Sequence, residues 1–349
     1  MNRTLWPALL MALCGCSQSS APASSAISCE SVAATQQGAI VSAHRGGAAY
    51  APENTLPAFR NAVRLGVDQL EMDTQLTVDN QLVIIHDDTV DRTTNCSGAV
   101  NSKTLAQVEA CDAAYWFTPG QGVTVPEMNL PHPLRGAGVQ VPTLKLLLDW
   151  YVTLPCDRPQ LSIEIKNIPG ETNFDPVGDK TAKVLLPLLA RYGLQKEIVI
   201  QSFWPLTLVQ VKLLAPKLRT QFLTTSGNGE TAAVNLADVI ATGQDISAPN
   251  FDAPDFLAPL VQAAHLAGKQ VLPYTPDTYA DQQKVLGLGV DGLITNFPAC
   301  TLQLLNRTLP ARIAADGVPE TPACPGVVAP STANFSDRPD AATCAALRP

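Results

Sequence analysis

Short apolar runs alternate with longer helical segments along this chain, eight times over. The runs are AIVSAH (39–44), DQLEMD (68–73), LSIEIK (161–166), EIVIQS (197–202), RTQFLT (219–224), DISAPN (245–250), QVLPYT (270–275) and DGLITN (291–296). Parallel strands need crossovers, and helical crossovers cover the sheet, so this order predicts a closed (β/α)8 TIM barrel. Helical segments stand out at ENTLPAFRNAVRLG, TAKVLLPLLARYG and PDFLAPLVQAAHLAGKQ. The first and last close on a glycine suited to a C-cap, and Asn54 reads as the N-cap of the first.

A chain of 349 residues is ample for one such barrel, here spanning 39–308. The rhythm breaks at residues 87–141, an insertion between the second and third barrel strands. Connections that long inside a compact domain are functional loops or subdomains. Residues 309–349 are rich in Pro and Ala and read as an irregular tail stapled by cysteines. At the other end, MNRTLWPALLMALCGC carries Arg3 and an apolar stretch too short to span a bilayer, then Leu-Cys-Gly-Cys. Residues 1–15 therefore read as an export signal and 16–38 as a polar tether and N-terminal segment. The signal's ending resembles the lipobox of bacterial lipoproteins. That resemblance implies lipidation of Cys16 and a membrane anchor facing the periplasm or the cell exterior.

Cleavage before Cys16 removes Cys14 and leaves Cys29, Cys96, Cys111, Cys156, Cys300, Cys324 and Cys344, an odd number. Disulfides persist in exported proteins. Cys96 with Cys111 and Cys324 with Cys344 are plausible local pairs, although spacing does not determine connectivity. No Cys-x-x-Cys or His-x-His spacing supports a zinc site. The formal net charge of -8 argues against nucleic acid as a partner, because phosphate backbones require a basic face.

Polar residues stand where strands should finish: His44 and Arg45 after the first, Glu71 and Asp73 in the second, Glu164 and Lys166 in the third. Side chains two apart on a strand share a face, so Glu71 and Asp73 oppose Leu70 and Met72, while Glu164 and Lys166 oppose Ile163 and Ile165. With the apolar residues packed against helices, three carboxylates point into the barrel mouth. Arg45 and Lys166 could neutralise two of them as a salt-bridge lattice, which leaves a deficit that a divalent cation would fill. An all-oxygen ligand set favours Mg2+ or Ca2+ over zinc. After Asp73, VDNQ reads as a turn and LVIIHD as a short returning strand that carries His86 toward the same mouth. His44 and His86 form a candidate acid/base pair. His265, in the last turn of a helix, and His132, in the insertion, read as structural. Gly46 and Gly47 permit positive φ or close backbone approach, and the Arg45 guanidinium matches a phosphate.

HRGGAAYAPENTLPAF, GVDQLEMDTQLTVDNQLVIIHDDTVDRTT, PTLKLLLDW, LSIEIK and DGLITNFP together resemble the glycerophosphodiester phosphodiesterase family over roughly residues 40–300. The resemblance implies a TIM barrel with one divalent cation, Mg2+ or Ca2+, held by Glu71, Asp73 and Glu164. His44 and His86 become the acid/base pair, Arg45 and Lys166 the phosphate contacts, and Glu53 a supporting residue beside the metal. The implied reaction releases glycerol 3-phosphate and an alcohol from a small glycerophosphodiester. Two other readings are a lysophospholipase D-like enzyme, whose acyl chain an apolar rim from the insertion, which carries Tyr115, Trp116 and Phe117, could admit, and a non-catalytic lipid-anchored solute-binding protein. Family members often carry a tryptophan near strand seven, where this chain has Tyr274.

Overall fold

The structure, a computed structural model, describes residues 38–126, 129–225, 232–252 and 254–325. The expected signal, the tether and Cys16 lie outside the described residues. Among the described residues nine strands form: β1 (Ile40–Ala43), β2 (Gln69–Leu76), β3 (Leu82–Ile84), β4 (Gln160–Ile165), β5 (Ile198–Ser202), β6 (Arg219–Thr224), β7 (Ile246–Pro249), β8 (Gln270–Val271) and β9 (Gly292–Thr295). The helices are α1 (Leu56–Leu65), α2 (Leu105–Glu109), α3 (Leu144–Tyr151), α4 (Lys180–Tyr192), α5 (Pro205–Leu214), α6 (Ala232–Ala241), α7 (Pro254–Leu266), α8 (Tyr279–Leu286) and α9 (Pro298–Leu304).

All strands except β3 pair in parallel, in the order β9-β1-β2-β4-β5-β6-β7-β8, which is the expected barrel. A bridge between Tyr274 and Ile294 brings its two ends together. The eight predicted runs are its eight strands, with β8 trimmed to two residues. β3 runs antiparallel to β2 and pairs Thr74 with Ile84, so the predicted hairpin forms as well. Leu70, Met72, Ile163 and Ile165 join the outer core against α1, α3 and α4, as alternation along their strands requires. Inside, Ile40, Val199, Ile246 and Leu272 make an apolar floor.

Helix α1 departs from the expected cap. Thr55, not Asn54, is the N-cap, its hydroxyl accepting from Ala58 N at 3.4 Å. Asn54 has φ 59° and turns its amide to Asp73 instead, with Nδ2 donating to Oδ2 at 2.7 Å. Pro57 in the first turn and Gly66 in the left-handed conformation after the last complete the helix.

Within 87–141, Val90, Val100, Val108, Ala113 and Val141 gather into a small core of their own with Val83 and Ile85. A disulfide joins Cys96 to Cys111, the first of the two expected pairs. The second is corrected: Cys324 bonds Cys300, with Cα atoms 4.7 Å apart, and so is not available to Cys344. The described part of the tail lies back over the barrel instead of closing on itself. Ala314, Ala315 and Val318 pack on Ala51, Ala58 and Phe117, which brings Cys324 over the start of α9. Cys156 is also disulfide-bonded. No helix among the described residues is long and apolar enough to cross a membrane.

Candidate active site

The polar side chains named from the sequence converge at the C-terminal ends of β1, β2 and β4, the end of a (β/α)8 barrel where chemistry is done. Asp73 stands opposite Glu164 in the β2–β4 register, and Glu164 stands opposite Gln201 in β5. Ligand oxygens of Glu71, Asp73 and Glu164 all lie within 4.8 Å of one another, and all three residues are buried. Glu71 is fixed at both oxygens: Arg45 N–H donates to Oε2 and Gln201 Nε2 to Oε1, each at 2.7 Å. Gln221 Nε2 in turn donates to Gln201 Oε1 at 2.8 Å, so an amide relay orients the carboxylate. Neither glutamine stands out in the sequence; the one local signal is Gln201, a polar residue after the apolar run Ile198–Ile200 of β5.

Charge at this cluster is unbalanced. Lys166 Nζ lies 3.1 Å from Glu164 Oε1 and 3.9 Å from Asp73 Oδ1, and Arg45 Nε lies 3.6 Å from Asp73 Oδ2. Even so, Asp73 Oδ1, Glu164 Oε1 and Arg45 Nε are buried without a hydrogen-bond partner. Burial and the Asp73 charge push the Glu71 carboxyl well above its ordinary range, and burial takes Glu164 up to about 7 despite Lys166. Asp73 is also desolvated, but His86, Lys166 and Arg45 together hold it low. Two orphaned oxygens, an all-oxygen donor set and mutually repelling carboxylates fit a hard divalent cation.

Both histidines have a determined tautomer. Asn296 Nδ2 donates to Asp277 Oδ2 at 2.8 Å, which turns Asn296 Oδ1 to His44 Nδ1, also at 2.8 Å. His44 therefore carries its proton on Nδ1 and leaves Nε2 as an acceptor. His86 Nδ1 donates to Asp87 Oδ1 at 2.6 Å, and Lys166 Nζ, which can only donate, reaches His86 Nε2 at 3.2 Å. Burial first and Arg45 second push His44 down to about 3 and His86 to about 4, so both rings are neutral at pH 7. Asp87, Asp277 and Asn296 were not singled out in the sequence, although Asn296 ends an apolar strand just as His44 follows one.

Glu53 is buried but stands outside the carboxylate cluster. Its oxygens accept from Arg45 Nη1 at 2.8 Å and from Arg92 Nη1 and Nη2 at 2.7 and 2.8 Å. His265 Nε2 meets Asp291 at 3.0 Å and His132 Nδ1 meets the Phe117 carbonyl at 3.3 Å. Of the insertion aromatics, Phe117 is buried, while Tyr115 and Trp116 stack on Arg135, whose guanidinium carbon is 4.3 and 4.9 Å from their ring centres. Tyr274 follows β8, donates to the Thr224 carbonyl at 2.9 Å and meets Phe203 edge-on at 5.7 Å.

The family profile described as "Glycerophosphoryl diester phosphodiesterase family" matches residues 44–300. The chain belongs to the glycerophosphoryl diester phosphodiesterase family. It is a phosphodiesterase, a phosphoric diester hydrolase on a (β/α)8 barrel. A glycerophosphodiester phosphodiesterase of Caldanaerobacter subterraneus subsp. tengcongensis is 32% identical over 269 residues, 77% of this chain and 98% of that one. One from Bacillus subtilis is 31% identical over 263 residues, 73% of this chain and 83% of its own. Among solved structures, an Oleispira antarctica phosphodiesterase in complex with the product sn-glycerol-3-phosphate superposes with a TM-score of 0.62 at 23% identity. That likeness covers 76% of this chain and 96% of the other.

Proposed function

We propose that this phosphodiesterase hydrolyses glycerophosphodiesters to glycerol 3-phosphate and an alcohol, using a divalent cation, Mg2+ or Ca2+, and the pair His44 and His86. The observation that carries the reading is the juxtaposition of three buried carboxylates, with two orphaned oxygens, and two histidines whose Nε2 atoms are free of protons. Glu71, Asp73 and Glu164 would hold the cation, which when bound supplies positive charge to the phosphate and a fixed point for the glycerol hydroxyl. Arg45 and Lys166 add charge at the same mouth, suited to the anionic diester. One histidine takes the proton of the attacking oxygen at Nε2; the other, neutral at rest, first gains a proton at Nε2 from solvent and delivers it to the leaving alcohol oxygen, and the first returns its proton to solvent to close the cycle. Asp87 favours the protonated ring of His86, against burial and the neighbouring cations. The glycerol 3-phosphate bound by the Oleispira antarctica relative supports the same product here.

Chelator-treated protein should lose turnover of a glycerophosphodiester and regain it on addition of Mg2+ or Ca2+, and Glu71→Ala should not regain it. His44→Ala and His86→Ala should each lose on the order of 100-fold or more in kcat, with thermal stability nearly unchanged. Full turnover by metal-stripped protein would remove the cation from this reading, and wild-type kcat in either histidine variant would remove that histidine.

A further inference from the structure

Arg92 lies in the stretch DDTVDRTT, beyond the residues to which the mechanism above gives a role. Its guanidinium makes two forks at once. Nε and Nη2 donate to Asp87 Oδ2 and Oδ1 at 2.7 and 2.9 Å, and Nη1 and Nη2 donate to Glu53 Oε2 and Oε1 at 2.7 and 2.8 Å. Each carboxylate passes the constraint inward. Asp87 accepts from His86 Nδ1 at 2.6 Å, and Glu53 accepts from Arg45 Nη1 at 2.8 Å. One planar side chain thus spans from the partner of a histidine to the partner of the arginine facing the phosphate position. The groups come from different elements: Glu53 from the loop before α1, Asp87 and Arg92 from the chain after β3. A further contact, Nη1 to the Thr124 carbonyl at 3.4 Å, links the same guanidinium to the insertion.

We propose that Arg92 is a positioning residue for the phosphodiesterase reaction, setting the ring of His86 through Asp87 and the guanidinium of Arg45 through Glu53. This rests on the roles given above to His86 and Arg45. Two parallel forks require a planar group with donors on both edges, and a lysine ammonium retains the charge without that geometry. Charge alone would make Lys and Arg equivalent at this position; positioning makes them different.

The test uses the full chain with its metal and a glycerophosphodiester substrate. Arg92→Lys and Arg92→Ala should each lower kcat by roughly 10- to 100-fold, the scale seen when groups orienting a site's direct ligands are removed. Methylguanidinium added to Arg92→Ala should restore part of the lost kcat at temperatures where that variant is already fully folded without the additive. Arg92→Lys with kcat within two-fold of wild type overturns the proposal. So does an Arg92→Ala loss that methylguanidinium does not relieve and that follows the unfolded fraction, since that is the behaviour of a purely structural residue. His86→Ala and Arg45→Ala run in parallel separate the two levels: if those retain wild-type turnover, the assignment of the site fails, whereas if they are impaired and Arg92→Lys is not, the positioning role alone fails.

Discussion

Arg45 holds a left-handed backbone, φ 53°, that side chains rarely adopt, and Gly46 and Gly47 follow at 82° and 85°. The turn aims the Arg45 N–H at Glu71, so a strained residue orients a carboxylate of the site. Glycine at position 46 is required twice, because an added Cβ would sit 2.7 Å from Ala58 Cβ as well as force positive φ. Gly46→Ala should therefore cost about 1–3 kcal/mol in denaturant unfolding and lower activity by displacing His44 and Arg45. An unchanged midpoint would show that α1 yields to the methyl group. Glu53 gives a pH-dependent counterpart. Burial opposes its ionisation, but Arg92 and Arg45 outweigh that and hold its carboxyl well below the ordinary 4.5. A depressed folded-state value means that the stabilisation is complete above about 4.5 and is lost as pH falls through the folded value. Glu53→Gln should be less stable than wild type by roughly 3–5 kcal/mol at neutral pH, as expected for a buried charge left without its partner. The gap should narrow below pH 4.5, and unfolding titrations at a series of pH values would show whether it does.

At the scale of elements, the β2–β3 hairpin does two jobs that alternation made legible. It buries Leu70 and Met72 outward while Glu71 and Asp73 face the mouth, and it returns the chain so that His86 reaches Lys166 at 3.2 Å. What alternation could not show is which polar residues support that geometry. Asn54 has the composition of an N-cap, and local preference alone assigns it that task. Asp73, 19 residues on in the next strand, takes its amide instead, and Thr55 caps the helix one residue later. The same limit applies to Asp87 and Asn296, whose significance depends on which histidine they meet. The insertion presents another element-scale expectation. Its disulfide closes a separation of 15 residues, for which the chain-entropy estimate is about 3 kcal/mol. Replacing both Cys96 and Cys111 by Ser should destabilise the insertion by up to that amount. Limited proteolysis should then cut within 87–141 before the barrel strands, and simultaneous loss of both would mean that the insertion and the barrel unfold as one unit.

Across the whole molecule the formal net charge is -8, and three buried carboxylates gather with an arginine and a lysine at one barrel mouth. We infer from the lipobox-like Leu-Cys-Gly-Cys that this barrel works at a membrane surface, tethered through Cys16 by the polar segment after it. Wild-type protein should fractionate with membranes and incorporate label from a fatty-acid precursor. Cys16→Ser should move it to the soluble fraction or leave it unprocessed. Soluble, unlabelled wild-type protein whose N-terminus lies downstream of Cys16 would point to plain secretion.

Periodicity by itself determined the eight barrel strands, the face on which each acidic side chain lies and the hairpin that carries His86, because strand alternation and strand–helix order are local properties of the chain. The gathering of Glu71, Asp73 and Glu164 also followed, since parallel neighbours in a closed barrel must place their C-terminal ends together. Tertiary structure alone decided the partners. Cys324 met Cys300 because the tail packs across the start of α9, and the Arg92 forks closed because the loop before α1 and the chain after β3 approach one another. Residue types state what each group can bond, but buried donors and acceptors are satisfied by whatever the folded chain brings within reach.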